Sequence, residues 1–443
     1  MKMTVTPATG PLSASEVRRL IDQNPCLSLI KELRSLDDAL DAMTCIPDEC
    51  TPEMGVTEDD FQIPTSERGR LAYELASAGR ASARQRDLSS AEFRRKMTSA
   101  GVLINHHANR HGHALPVNSV TVPNAAPRGF FVIVPAGMGQ RALRRAVERF
   151  FGTMVESIDI DLPEGGSIRY FRVPTLCVRF PSSGKLRAFA KSFVRRLDDA
   201  MNTKFSEQTR GPLHGDEQSI SAVIQAFAIA VNLGLLIVEQ INTKQASAAE
   251  ASVLWDSLAQ FTSDTGIPIL CLATPGAAAA YSEQSGVASA LSSKGKFHIA
   301  PPEAASEVWQ VLATYMYTKR LGASLGASQP DWFSFALWQV TWGHTDLAAK
   351  VCAHISSVLR DTGPVEFSEA AFRRHAKDAL VLESPHLKAI DRLRLGGRFT
   401  ATSVRRHGDW LPLEAMMQSV PGLIEEDSQK KIAHISATME VPK

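Results

Sequence analysis

Gly129-Phe-Phe-Val-Ile-Val-Pro-Ala-Gly-Met-Gly-Gln-Arg-Ala-Leu-Arg-Arg145 reads as a short apolar strand, Phe130 to Val134, that passes through a Pro-Ala-Gly-Met-Gly turn into a helix. Strand, glycine-bearing turn and helix in that order form the frame in which a G-x-x-x-x-G-K-[ST] loop cradles phosphates. Laid on that pattern, Val134 takes the first glycine position, Gly139 the second, Gln140 the lysine and Arg141 the hydroxyl residue, with Gly137 inside the turn. The frame is kept and the chemistry is not. The lysine would neutralise β- and γ-phosphate charge and the hydroxyl would ligate Mg²⁺, whereas Gln140 is neutral and Arg141 repels a cation. Taken alone, the stretch also fits an ordinary strand-turn-helix connection.

Two further runs extend the pattern. Leu233-Gly-Leu-Leu-Ile-Val-Glu-Gln-Ile-Asn242 is an apolar, β-rich segment with a carboxylate near its end. Glu239 stands where a metal-holding acid belongs and Gln240 where a general base belongs, but an amide cannot take a proton from water. Glu239 is equally readable as a strand-end carboxylate paired with Arg141 or Arg144, filling the space a phosphate would use. Gly266-Ile-Pro-Ile-Leu-Cys-Leu-Ala-Thr-Pro275 is a third apolar strand, ending at Thr274, which is either a polar sensor of a ligand or the turn before Pro275. Loop, acidic strand and third strand in this order suit one parallel-sheet α/β domain.

Composition bounds what surrounds that domain. A chain of 443 residues has material for two to three domains. With 48 basic and 47 acidic residues its net charge is +1, so any nucleic-acid contact is a local patch rather than a global coat. The six cysteines, Cys26, Cys45, Cys50, Cys177, Cys271 and Cys352, are scattered without a C-x-x-C pair and read as reduced thiols of a cytoplasmic protein. No apolar window reaches the length of a membrane span; Ala226 to Val238 comes nearest and is broken by Asn232 and Gly234.

Breakers and periodicity divide the chain into a helical region over 1–115, an α/β core over 116–302, a helical segment over 303–365 and a C-terminal helix and tail over 366–443. Ser13 or Ser15 can cap a first helix that Asn24-Pro25 stops; helices follow near 36–43 and 66–83. Within the core, strands are expected near 130–134, 155–160, 169–180, 233–239 and 267–273, with helices at 139–151, 185–201, 217–231 and 247–263. Beyond Pro301-Pro302, helices are expected near 303–320, 330–343, 345–360 and 368–381.

The order of these features resembles the AAA+ transposition regulators of the TnsC/TniB type. The matching residues are Asn24-Pro25 with a Leu-rich helix after it, the loop and two strands above, Val173-Pro-Thr-Leu-Cys-Val-Arg-Phe-Pro-Ser-Ser-Gly-Lys-Leu-Arg187, Asp198-Asp-Ala-Met-Asn-Thr-Lys-Phe205, Ala273-Thr-Pro-Gly-Ala277, Gly343-His-Thr-Asp-Leu-Ala-Ala-Lys350 and Pro385-His-Leu-Lys-Ala-Ile-Asp-Arg-Leu-Arg394. The resemblance implies an AAA+ parallel-sheet core with a helical lid, in which Thr274 is the γ-phosphate sensor. It further implies a homo- or hetero-oligomer on duplex DNA, with a transposase and a target selector as protein partners. Four substituted positions imply lost ATP hydrolysis and no cofactor, unless Lys185 or Lys244 rescues an ATP/Mg²⁺ site. The other reading is a non-catalytic scaffold that binds only protein, in a defence or regulatory complex.

Two clusters remain. His106, His107, His111 and His113 would place His107 and His111 on one helical face at the spacing of a zinc pair, yet no nearby carboxylate or cysteine completes the set, and a solvated polar segment is preferred. Arg187, Lys191 and Arg195 recur every four residues, opposite Leu186, Phe189, Phe193 and Leu197. As a rule such a stripe is a solvated face. The resemblance makes it, with Arg169, Arg172, Arg179 and Lys185, a surface that tracks the DNA backbone without reading sequence.

Overall fold

The computed structural model describes residues 24–45, 65–108, 121–161, 166–208, 213, 215–282, 285–325, 328–362, 367–397 and 406–412. Its centre is a parallel sheet of five strands: β1 (Gly129–Ile133), β4 (Thr175–Arg179), β5 (Leu235–Ile241), β6 (Ile269–Ala273) and β7 (Lys296–His298). In space their order is β4-β5-β6-β1-β7, and every neighbouring pair is parallel. A second, two-stranded antiparallel ribbon joins β2 (Glu156–Asp161) to β3 (Ser167–Arg172).

All five residues of β1 and of β6 are buried, as strands covered on both faces must be. Alternate side chains serve two cores. Phe131, Ile133, Leu176, Val238 and Cys271 join one face with helices Leu186–Met201, Glu217–Ala230 and Ala251–Thr265. Phe130, Val132, Ile237, Leu270 and Leu272 join the other with helices Gln140–Phe151, Leu36–Met43 and Ser66–Gln85. The helical segment after Pro302 has its own core around Trp309, Tyr317, Phe333 and Phe372, built by helices Glu307–Met316, Phe333–Thr341, Thr345–Thr362 and Glu369–Ala379.

Several expectations need correction. Asn24-Pro25 starts a helical turn of its own, which the sequence does not predict: the Asn24 side chain accepts from the Cys26 N–H, and Pro25 takes the first helical position, where a missing N–H costs nothing. The single strand expected over 169–180 is two, β3 and β4, broken at Val173-Pro174. There the Val173 backbone bonds Val231 and Gly234, and Pro174 has no N–H to continue a ladder. Helices Ala91–Ala108 and Ser384–Arg394 go beyond what the periodicity predicts, and so does β7, too short to carry a period. His106 and His107 lie at the end of helix Ala91–Ala108, while His111, His113, Cys50 and the Ser13/Ser15 helix fall outside the described residues.

Candidate functional site

Val134, Gly137, Gly139, Gln140, Arg141, Glu239, Gln240 and Thr274 all line a single cavity of about 1040 Å³. It opens beyond the carboxyl ends of β1, β5 and β6, where open α/β sheets place their ligands. Arg68 from helix Ser66–Gln85 and Thr345, Asp346 and Lys350 from the helical segment complete its wall.

The loop turns on two glycines. Gly137 and Gly139 have φ of +78° and +74°, a region that costs an L side chain strain, and Gly139 caps helix Gln140–Phe151 without a side chain. Val134 is buried, and its N–H donates to the Ala273 carbonyl at 2.8 Å, tying the loop to the end of β6. The Gly137 carbonyl accepts from the Asp346 N–H at 2.9 Å, and the Ala136 N–H donates to the Asp409 carbonyl at 2.8 Å. The loop is thus tethered from two later parts of the chain.

Where a lysine would stand, the Gln140 Nε2 is buried with no hydrogen-bond partner among the described residues. Glu239 lies between two guanidinium groups, with Arg144 Nε at 3.1 Å and Arg179 Nε at 3.4 Å. The Arg144 contact is an ion pair rather than a hydrogen bond, since the Nε–H is not aligned with an acceptor. Arg144 also holds Glu148 at 2.9 Å, where burial lifts the carboxyl above its ordinary range against the pull of the arginine. Burial, reinforced by Glu239, pushes the neighbouring Cys177 thiol up to about 12, so it stays protonated. Of the two arginines offered as partners of Glu239, Arg144 is the one that pairs with it.

Gln240 is turned away from the ladder. Its φ is +60°, the pairing of β5 with β6 shifts register between Val238 and Ile241, and its side chain is exposed. A bulge with one residue in the left-handed region separates Glu239 from Ile241 and re-aims the position between them. Thr274 is buried, and its hydroxyl donates to the Asp409 carboxylate, which also accepts from the Thr243 hydroxyl and, at 2.9 Å, from the Thr243 N–H. Lys185 and Lys244 are absent from the cavity lining; Lys350 lines it and is paired with Glu383 at 2.7 Å.

The basic residues divide. Arg169 is exposed and paired across the ribbon with Asp159 at 2.8 Å. Arg172 is not on a surface at all: only 2% of its side chain is exposed, and it is paired with Glu156. Lys185 pairs with Glu250 at 3.3 Å, and Arg187 donates to the Gly215 carbonyl at 3.2 Å. Arg187, Lys191 and Arg195 are exposed on helix Leu186–Met201, whose opposite face buries Leu186, Phe189, Phe193 and Leu197. The burial of Arg172 takes it out of a DNA-facing set, whereas Arg179 stays exposed beside Glu239.

Neither family models nor curated proteins match the chain. The site therefore stands on its own geometry. Among the described residues no helix is long and apolar enough to cross a membrane, and no group of three or more His, Cys, Asp or Glu is placed to hold a metal ion. Sequence reading missed Arg68, Asp409 and Trp410 at this site. The only signal for the last two is a large aromatic beside an acid in the otherwise polar run Arg405-Arg-His-Gly-Asp-Trp410.

Proposed function

We propose that the protein is an AAA+-fold adaptor of a TnsC/TniB-like transposition system, or of a system derived from one, which binds duplex DNA and partner proteins and has lost ATP hydrolysis. The observation that carries this reading is the gathering around one cavity of all eight positions that the sequence singles out, with Glu239 held by Arg144 and Arg179. The strand order supports it too, because the acidic strand β5 is separated from the loop strand β1 by the sensor strand β6.

The residues present do not fit Mg²⁺ and a triphosphate. The carboxylate that would hold the metal is neutralised by two guanidinium groups, the amide at Gln140 brings no charge to a γ-phosphate, and the Thr274 hydroxyl is already given to Asp409. The role left to such a domain is assembly. Exposed Arg187, Lys191 and Arg195 offer phosphate contacts on one helix face, which position a protein on a duplex without reading bases.

A second reading, a scaffold that binds only protein, is favoured by the β2-β3 ribbon. Its Arg169 is paired, its Arg172 is buried, and it exposes Ile168 and Phe171 instead. Anisotropy titration of the full chain against unrelated duplexes at two salt concentrations separates the two. With Lys185, Arg187 and Lys191 all changed to Glu, binding to every duplex weakens alike, and the slope of log affinity on log salt flattens by about one unit for each phosphate no longer neutralised. An unchanged triple variant refutes the stripe, and a parent that ignores DNA at low salt gives the scaffold reading precedence.

A further inference from the structure

Residues 406–412 form a short segment that packs behind the cavity-lining residues Ala136, Gly137 and Thr274. Asp409 is its hub. The carboxylate accepts three hydrogen bonds from two separate elements, through the Thr243 N–H, the Thr243 hydroxyl and the Thr274 hydroxyl, although Thr274 lies 135 residues earlier in the sequence. Its own carbonyl accepts from Ala136 inside the loop. One residue thus joins the loop, the end of β6 and the turn after β5.

Its neighbours seal the contact. The Trp410 ring lies so close to Gly137 that a Cβ there would come within 3.2 Å of it. His386 of helix Ser384–Arg394 stacks on Trp410, centroids 4.9 Å apart and planes inclined by 14°. His407 and His386 share a hydrogen bond between their Nδ1 atoms at 3.0 Å, and Leu411 is buried against Ala389 and Ile390. Gly408 packs against Gly276, where a Cβ would come within 3.0 Å of its carbonyl carbon.

We propose that residues 406–412 are an intramolecular latch on the cavity: Asp409 occupies the Thr274 hydroxyl that a cavity ligand would otherwise engage, and clamps the loop to the core. The chain thus supplies its own anion to a hydroxyl that lines the cavity. An occupant that needs Thr274 must displace Asp409, and displacement of Asp409 frees Ala136 as well, so occupation of the cavity and release of the segment are one event. The segment's attachment is mostly polar, through hydrogen bonds that exchange readily, with Trp410 and Leu411 as its main apolar anchors. The latch rests on these contacts alone and stands or falls independently of DNA binding.

Hydrogen exchange by mass spectrometry on the full chain tests it. In Asp409→Ala, amides of residues 134–142 and 274–277 should exchange about tenfold faster or more, while β4 and β5 keep the parent's protection. Asp409→Asn keeps the shape and an acceptor oxygen but loses the charge, so it should fall between parent and Ala; it also decides the matter should the Ala variant not fold. Unchanged exchange in the loop overturns the latch. So does an acceleration spread equally over β4 and β5, which would make the segment an ordinary part of the core.

Discussion

At the level of single residues, the arrangement around Glu239 carries the sharpest consequence. Its side chain is 12% exposed and Arg144 is 21% exposed, whereas Arg179 is 60% exposed. A charge pair withdrawn from water holds only while both members remain, so removing one leaves an uncompensated ion. Arg144→Met should lower the stability of the chain by about 2–4 kcal/mol in urea unfolding. The double variant with Glu239→Gln should recover only part of that loss, because Glu148 also loses its Arg144 partner, and Arg179→Ala, at the exposed edge, should cost less than about 1 kcal/mol. Equal losses for Arg144→Met and Arg179→Ala would show that Glu239 does not depend on Arg144. This pairing is legible in part from the sequence: a carboxylate at a strand end with an arginine one turn into the helix after the loop is a readable pair. What hides Arg172 is its residue type. Arginine suggests surface, and only the close approach of β3 to Glu156 and Gly234 puts it inside.

Among elements, β1 owes its place to a residue with no side chain. A Cβ on Gly129 would lie 2.3 Å from the backbone of Leu291, the last residue of helix Ser285–Leu291. Backbone cannot step aside as a side-chain tip can. Gly129→Ala should therefore cost about 3 kcal/mol or more. Gly101→Ala, in helix Ala91–Ala108 with nothing within 4 Å of the new methyl, should stabilise by about 0.5–1 kcal/mol. Thermal or urea unfolding of both variants reads the contrast directly, and similar shifts in the two would mean the approach to Leu291 is looser than it looks. The strands β1, β2, β5 and β6 are legible in the sequence, and so are the helices with an apolar face, from Leu36–Met43 and Ser66–Gln85 through those of the core to Thr345–Thr362 and Glu369–Ala379. The break at Pro174 is hard to see because the residues on either side of it are apolar or β-branched. The segment 406–412 has no period at all. Its position is decided by the carboxylate of one residue meeting hydroxyls far away in sequence, which no local pattern encodes.

For the molecule as a whole, pH should act through the histidines around Trp410. His344 is 1% exposed, its Nδ1 is bound to the Thr341 carbonyl at 3.0 Å, and burial holds it down to about 4 from its ordinary 6.5. Burial also lowers His386 and His407, with Arg406 acting on both. A histidine whose folded value is depressed binds its proton more readily in the unfolded chain. Its contribution to stability is complete above about pH 6.5 and is lost as pH falls from there toward 4. Each such group takes about 1.4 kcal/mol per pH unit across its window. Urea midpoints between pH 7 and pH 4.5 should fall for the parent and fall less for His344→Phe; parallel curves would remove His344 from the account.

The sheet's pairing pattern also sets a timetable for the growing chain. β1 pairs with β6 on one side and β7 on the other, Gly129 against Ile269 and Phe131 against Lys296, so neither partner of the loop strand exists when the strand is made. At about 5–20 residues per second, synthesis leaves that apolar run without its neighbours for on the order of ten seconds. Asp409 reaches the tunnel exit later still, well after the five strands can pair. On the ribosome, then, the loop forms first as sequence and last as structure, and a nascent chain halted before residue 406 would leave Ala136 and Thr274 without the Asp409 partner that the finished protein gives them.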